Sequence, residues 1–183
     1  MIYTTTYESP LGKLFLAAEN EALLGLWIQG QKYFPARLFP EGAGERNPAE
    51  KDCGILAQAR IWLDQYFAGA RPKPEHLKLA PGRASEILPA GSEFRRQVWK
   101  LLLEIPYGEV LTYGELARRL AGRRGSSSMS AQAVGGAVGH NPLSIIIPCH
   151  RVVGADGSLT GYAGGLEKKR WLLQLEGYIP GNK

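Results

Sequence analysis

Cysteine is scarce in this chain: Cys53 and Cys149 are the only two among 183 residues. They lie far apart and form no CxxC pair, which excludes a disulfide framework and a cysteine-based zinc site. Histidine is nearly as rare, with His76, His140 and His150. His76 sits in the stretch Lys73-Pro74-Glu75-His76 and has no ligand-like companion, so no metal is expected. Neither a phosphate loop nor a GxGxxG run is present, so no cofactor is expected. Long apolar runs are also missing. Glu8, Lys13, Glu19 and Asn20 interrupt the first 25 residues, and neither a signal peptide nor a membrane span is expected. A reducing cytoplasm suits a chain with free thiols.

What is present is ordinary in bulk and uneven in distribution. Apolar residues make up 44% and charged residues 21%, as in a globular protein. Residues 1–91 carry ten Lys/Arg against ten Asp/Glu, whereas residues 92–183 carry twelve against seven. The whole excess of +5 therefore lies in the second half, which points either to an anionic partner there or to solvated surface charge.

The first half reads as strands followed by one helix. Ile2 to Tyr7 is rich in β-formers, Ser9-Pro10-Leu11-Gly12 reads as a turn, and Leu14 to Ala18 and Leu23 to Ile28 follow around Glu19-Asn20-Glu21. Residues 30–50 are Pro/Gly-rich and read as irregular. Ile55, Ala59, Trp62 and Tyr66 recur at helical spacing beside Leu56, Leu63 and Phe67, which predicts an amphipathic helix ending near Gly69. Residues 70–91 have the composition of a linker, so domains at 1–88 and 89–183 are expected.

The second half reads as mostly helical. Ser92 is a candidate N-cap for a helix through Val98, Trp99, Leu102 and Leu103. Thr112 with Glu115 forms a capping-box pattern before a helix from Tyr113 to Leu120. A basic Ser/Gly loop from Gly122 to Ser128 then leads to a helix from about Ser130 to Gly139, giving a helix-turn-helix pattern. Ala131, Ala133, Gly135, Gly136, Ala137 and Gly139 make the last helix thin. Glycine costs a helix interior about 1 kcal/mol, so several together need a reason. Close approach to another surface is one. A thin helix can enter a minor groove, where readout is degenerate and phosphate contacts carry the binding. Tight packing on a core is the other.

The densest chemistry lies in Ile147-Pro148-Cys149-His150-Arg151-Val152. It sets a thiol beside an imidazole, behind the apolar run Ile145-Ile146-Ile147, which reads as a buried strand ending at the thiol. A nearby base makes thiolate available at neutral pH, and thiolate is the nucleophile of cysteine chemistry.

In motif order, Phe94 to Gly177 resembles the O6-alkylguanine-DNA alkyltransferases, or methylated-DNA–protein-cysteine methyltransferases. The matching residues are Tyr107-Gly108-Glu109-Val110, Thr112-Tyr113, Ala133-Val134-Gly135-Gly136, Asn141-Pro142, Ile147 to Val153, Gly161 to Gly165, and Trp171-Leu172-Leu173 before Glu176-Gly177. The first half is similar only in pattern. The resemblance implies an α/β (α+β) fold. Its N-terminal domain would be ribonuclease-H-like, a small antiparallel sheet plus helix. Its C-terminal domain would be mostly helical, with a winged-helix-like helix-turn-helix and the active-site cysteine.

The resemblance also implies a function: irreversible, single-turnover transfer of an alkyl group from O6 of guanine to Cys149, with base flipping. O4 of thymine is left open as a second substrate. His150 would act as base through a bridging water, and Glu176 would hold the imidazole. Asn141 would be a hinge bonding the backbone near the cysteine. Tyr113 would donate toward N3 of the leaving guanine, and Val152, Tyr162 and Ala163 would line the base pocket. Gln132, Arg95 and Ala131 would meet double-stranded DNA, and the protein would act as a monomer; separately from the resemblance, Arg123 and Arg124 of the Gly122–Ser128 loop are expected to add phosphate contacts. Gln132 stands where many relatives have the arginine that fills the hole left by the flipped base. Read singly, these residues have plainer roles: Tyr113 as core, Asn141-Pro142 as a turn, Arg151 as partner of a carboxylate. Competing functions are a non-catalytic alkylguanine-DNA damage-binding protein, a cysteine hydrolase, and a sequence-specific regulator.

Overall fold

The computed structural model describes residues 1–39, 53–80 and 93–179. It divides into two compact units: Met1–Ala90 with Pro142–Ile146, and Gly91–Asn141 with Ile147–Lys183.

The first unit is built on an antiparallel sheet in the order β1-β2-β3, with β1 at Ile2–Ser9, β2 at Gly12–Glu19 and β3 at Ala22–Ile28. The Ser9 hydroxyl accepts from Leu11 N and donates to Gly12 O, which closes the first hairpin around Pro10-Leu11. Asn20 and Glu21 both have positive φ, and Ala22 pairs with Glu19, so a two-residue turn closes the second. Helix α1, Gly54–Phe67, packs on the sheet and buries Ile55, Leu56, Ala59, Trp62, Leu63 and Tyr66, the expected apolar stripe. Each large apolar side chain so buried contributes about 1.5–3 kcal/mol. All seven residues of β3 are buried. Its Leu26 N donates to Pro142 O at 2.8 Å, and Ser144 N donates back to Leu26 O at 2.9 Å. Gln31 Oε1 accepts from Ile28 N and from the Ser144 hydroxyl, tying the 142–146 segment to the end of β3.

The second unit holds α2 (Glu93–Leu102), β4 (Leu111–Thr112), α3 (Tyr113–Arg124), α4 (Ala131–Gly139), β5 (Val152–Val153) and α5 (Leu166–Leu175). Strands β4 and β5 pair in parallel, Leu111 with Val152 and Thr112 with Val153. Helix α4 packs on α2 and α3, and the Trp99 indole donates to Ala137 O at 2.9 Å. Thr112 and Glu115 form the expected capping box, and Ser130 caps α4 by accepting from Ala133 N. Ser92, the expected cap of α2, lies outside the described residues.

Two local expectations are corrected. Helix α3 does not stop at Leu120. It runs to Arg124, because Leu120 and Ala121 are buried and the left-handed C-cap comes only at Gly125. Nor do Ile145-Ile146-Ile147 form a strand. They are turns and a bend, Ile145 has φ +73°, and each is buried. A short apolar run reports burial, and here burial comes without strand pairing.

Candidate active site

Pro148 leads into a 3-10 turn, Cys149–Arg151, which runs directly into β5. Cys149 is 5% exposed and its amide donates to Ile147 O at 2.8 Å. The side-chain amide of Asn141, just beyond the end of α4, donates to that same Ile147 carbonyl at 2.8 Å and to Cys149 Sγ at 3.1 Å. Burial pushes the Cys149 thiol up, while the Asn141 hydrogen bond and the Lys169 cation act against that rise. The resting group is therefore a thiol with its thiolate-stabilising donor already in place.

His150 is 0% exposed and its Nε2 lies 2.7 Å from Glu176 Oε1. An ionised carboxylate only accepts, so Nε2 carries the proton and Nδ1 of the neutral ring is the basic nitrogen. Glu176, at the C-cap of α5, also takes two hydrogen bonds from Arg151, at 2.7 and 2.9 Å, and one from Gly108 N at 3.2 Å. Burial alone would raise this carboxyl, but His150 and Arg151 outweigh it and hold it well below the usual carboxylate range. Burial pushes His150 down, against the pull of Glu176. Gly108 has φ +81°, and a Cβ there would stand 2.8 Å from Glu176 O, so this approach requires glycine.

The Tyr113 hydroxyl donates to Thr160 O at 3.1 Å, and a Cβ on Gly135 would meet the Tyr113 ring at 3.7 Å. Burial, with Cys149 adding to it, pushes the Tyr113 phenol up to about 12, so it remains a donor. The Tyr162 hydroxyl is buried with no hydrogen-bond partner among the described residues, and its phenol is raised by burial, then by Cys149 and Glu176. Val152 is buried and Ala163 half-buried.

This constellation can be set beside known proteins. Residues 93–178 match the family described as 6-O-methylguanine DNA methyltransferase, DNA binding domain, and residues 2–81 match its ribonuclease-like domain. A methylated-DNA–protein-cysteine methyltransferase of Shigella flexneri is 49% identical over 93% of this chain and 93% of its own. One from Mycobacterium tuberculosis is 42% identical over 96% of this chain and 93% of its own.

The chain belongs to the methylated-DNA–protein-cysteine methyltransferase family.

The crystal structure of Mycobacterium tuberculosis OGT in complex with DNA aligns with a TM-score of 0.72 at 38% identity, covering 94% of this chain and 91% of that one.

The residues expected at DNA lie on other elements of this methyltransferase-family chain. Ala131 and Gln132 are exposed in the first turn of α4, beside the equally exposed Ala133, and Arg95 on α2 is half-exposed. Arg124 donates to Gln97 Oε1 at 2.9 Å and lies over the Phe94 ring. Arg123 is held by Glu104 through two hydrogen bonds at 2.6 and 2.8 Å, so a phosphate would compete with a carboxylate already present.

Lys169 was hidden in the sequence. It is fully buried and donates to the carbonyls of Val152, Thr160 and Gly161. In Lys168-Lys169-Arg170 it reads as one of a solvated charge run. The only trace is its i, i+3, i+4 spacing with Leu172 and Leu173, the buried residues of α5. Burial lowers its ammonium to about 8, with Cys149 pulling the other way.

Proposed function

We propose that this protein repairs alkylated DNA by moving an alkyl group, methyl above all, from O6 of guanine onto Cys149, once per molecule. The observation that carries this is the pairing of Asn141 with the Cys149 sulfur and of Glu176 with His150, in a chain of this family. A damage-binding protein that accepts no alkyl group has no use for a thiol poised in this way.

The chemistry is a displacement at carbon. The Cys149 proton passes through a bridging water to His150 Nδ1. The sulfur then forms a bond to the alkyl carbon as the bond from that carbon to O6 breaks. The electron pair stays with guanine, which takes one proton from water at N1 and becomes the normal base, while His150 returns the proton it accepted to water. Glu176 orients the imidazole and balances its charge after proton uptake, following general triad logic. Asn141 stabilises the sulfur anion as it forms. Tyr113 donates to N3 of the departing guanine. Val152, Tyr162 and Ala163 line the pocket for the extruded base. Extrusion costs a few kcal/mol, which DNA contacts must offset. Those contacts fall to Arg95, Ala131, Arg123 and Arg124, with Gln132 in the gap that the base leaves. A thioether has a poor leaving group, so the protein is spent after one event.

Under this reading the chain acts as a monomer on double-stranded DNA, without cofactor, in the cytoplasm, and its domains are 1–88 and 89–183. No described helix is long and apolar enough to cross a membrane. The test uses a duplex whose single O6-methylguanine blocks a restriction site. Restored cleavage in proportion to the protein added supports the proposal. A duplex that stays blocked, or one protein molecule restoring many duplexes, contradicts it.

A further inference from the structure

Arg151 is a buried cation that the transfer scheme leaves unused. It is 8% exposed. Its Nε and Nη2 donate to the two oxygens of Glu176, at 2.7 and 2.9 Å, and its Nη1 donates to Ile105 O at 2.6 Å. Its guanidinium lies 5.7 Å from the Tyr107 ring centroid. This is the fork geometry in which arginine matches a carboxylate best. The same carboxylate serves His150 Nε2 on Oε1, so one oxygen takes a donor that can lose its charge and a donor that cannot.

A buried carboxylate facing only an imidazole draws a proton onto that ring. Here Arg151 shares that carboxylate through two hydrogen bonds, so less of its charge is left to draw a proton onto the resting ring. The other groups around His150 act in the same direction or stay neutral. Lys169, from α5, is a further buried cation, while Cys149 beside it and the Tyr162 phenol are both pushed toward their neutral forms. Burial holds His150 below its ordinary range, Glu176 opposes this, and Arg151 and Lys169 reinforce it.

We propose that Arg151 is a positioning residue that keeps His150 a neutral imidazole at rest, with Nδ1 able to take a proton, by sharing the charge of Glu176. It acts through Glu176 and not on the reacting atoms. The inference rests on His150 being the proton acceptor of the proposed function. An imidazole already protonated at rest could not accept the Cys149 proton.

Imidazole nitrogen NMR on the full chain tests this. The three histidines are followed across about pH 5.5–8.5, around the ordinary histidine midpoint of about 6.5, and His150 is assigned by the signal lost in His150→Gln. Wild-type His150 should show a protonated Nε2 and an unprotonated Nδ1, and take its second proton only below the ordinary histidine midpoint of about 6.5. In Arg151→Met its protonation midpoint should rise by about one pH unit or more, and Arg151→Lys should fall between. A purely structural arginine would leave that midpoint in place. An unchanged titration in a folded Arg151→Met protein overturns the proposal. So does a wild-type His150 that is already protonated at pH 7, a measurement that needs no variant to fold. Methyl transfer by the wild type is measured in parallel. Its absence would count against the reading of function and leave the titration to judge Arg151.

Discussion

Asn141 holds the Cys149 sulfur at 3.1 Å with the same side-chain amide that holds the Ile147 carbonyl at 2.8 Å. One residue thus ties the end of α4 to the backbone before the thiol and to the thiol itself. A hydrogen bond to a charged group is worth about 1.5–3 kcal/mol, so Asn141→Ala should slow transfer to Cys149 by about ten- to a hundredfold. Asn141→Asp should be worse, because it sets an anion beside a forming thiolate. Single-turnover rates at saturating DNA measure both. A rate within twofold of wild type for Asn141→Asp would remove the assigned role.

Acid should destabilise the second unit in two stages. The folded His150 binds its proton less readily than the unfolded chain, so stability is present above the unfolded midpoint, about 6.5, and falls as pH drops below it. Glu176 is held low by His150 and Arg151 despite its burial, so its contribution is present above about pH 4.3 and is lost as pH falls toward its folded midpoint. Thermal melts from pH 7.5 to 3.5 should show Tm declining below about pH 6.5 and more steeply below about 4.5. Glu176→Gln should start lower at neutral pH, because it leaves Arg151 buried against a neutral amide, and should lose the second stage. A flat wild-type profile would contradict the assignment of both groups.

Binding to undamaged duplex should separate the two neighbouring arginines of α3. Each phosphate neutralised contributes about 0.9 to the slope of log affinity against log salt. Arg124→Ala should lower the slope by about that amount, whereas Arg123→Ala should lower it less, because Arg123 must first leave Glu104. Glu104→Gln should tighten binding at low salt by freeing Arg123. No gain from Glu104→Gln would mean that Arg123 does not reach phosphate.

Gln132 is exposed in the first turn of α4, where an arginine would add length and charge. Gln132→Arg should raise the single-turnover rate on O6-methylguanine duplex by assisting base extrusion. No gain would show that extrusion is helped by other groups.

Much of this was legible before any fold was known, because it rests on local chemistry. The capping box at Thr112 and Glu115, the start of α4 near Ser130 and the apolar stripe of α1 are short-range patterns, and each formed as the sequence dictates. Arg151 was expected to pair with a carboxylate, and it does. What stayed hidden depends on distant contacts. Lys169 is buried inside a run of charges, and its three acceptors are backbone carbonyls, which leave no mark on side-chain identity. Ile145 to Ile147 carry the composition of a strand, yet the 142–146 segment bonds to β3 at Leu26 and then turns at Ile145. Arg123 reads as a free phosphate contact until Glu104, nineteen positions away, is seen to hold it.

The most direct measurement is the mass of the intact protein after mixing with one equivalent of duplex carrying O6-methylguanine, followed by peptide mapping. A single added methyl should appear, confined to the peptide that contains Cys149, complete at equimolar DNA and absent in Cys149→Ser. An unchanged mass while the guanine is restored, or a methyl found on Cys53, would contradict transfer to Cys149.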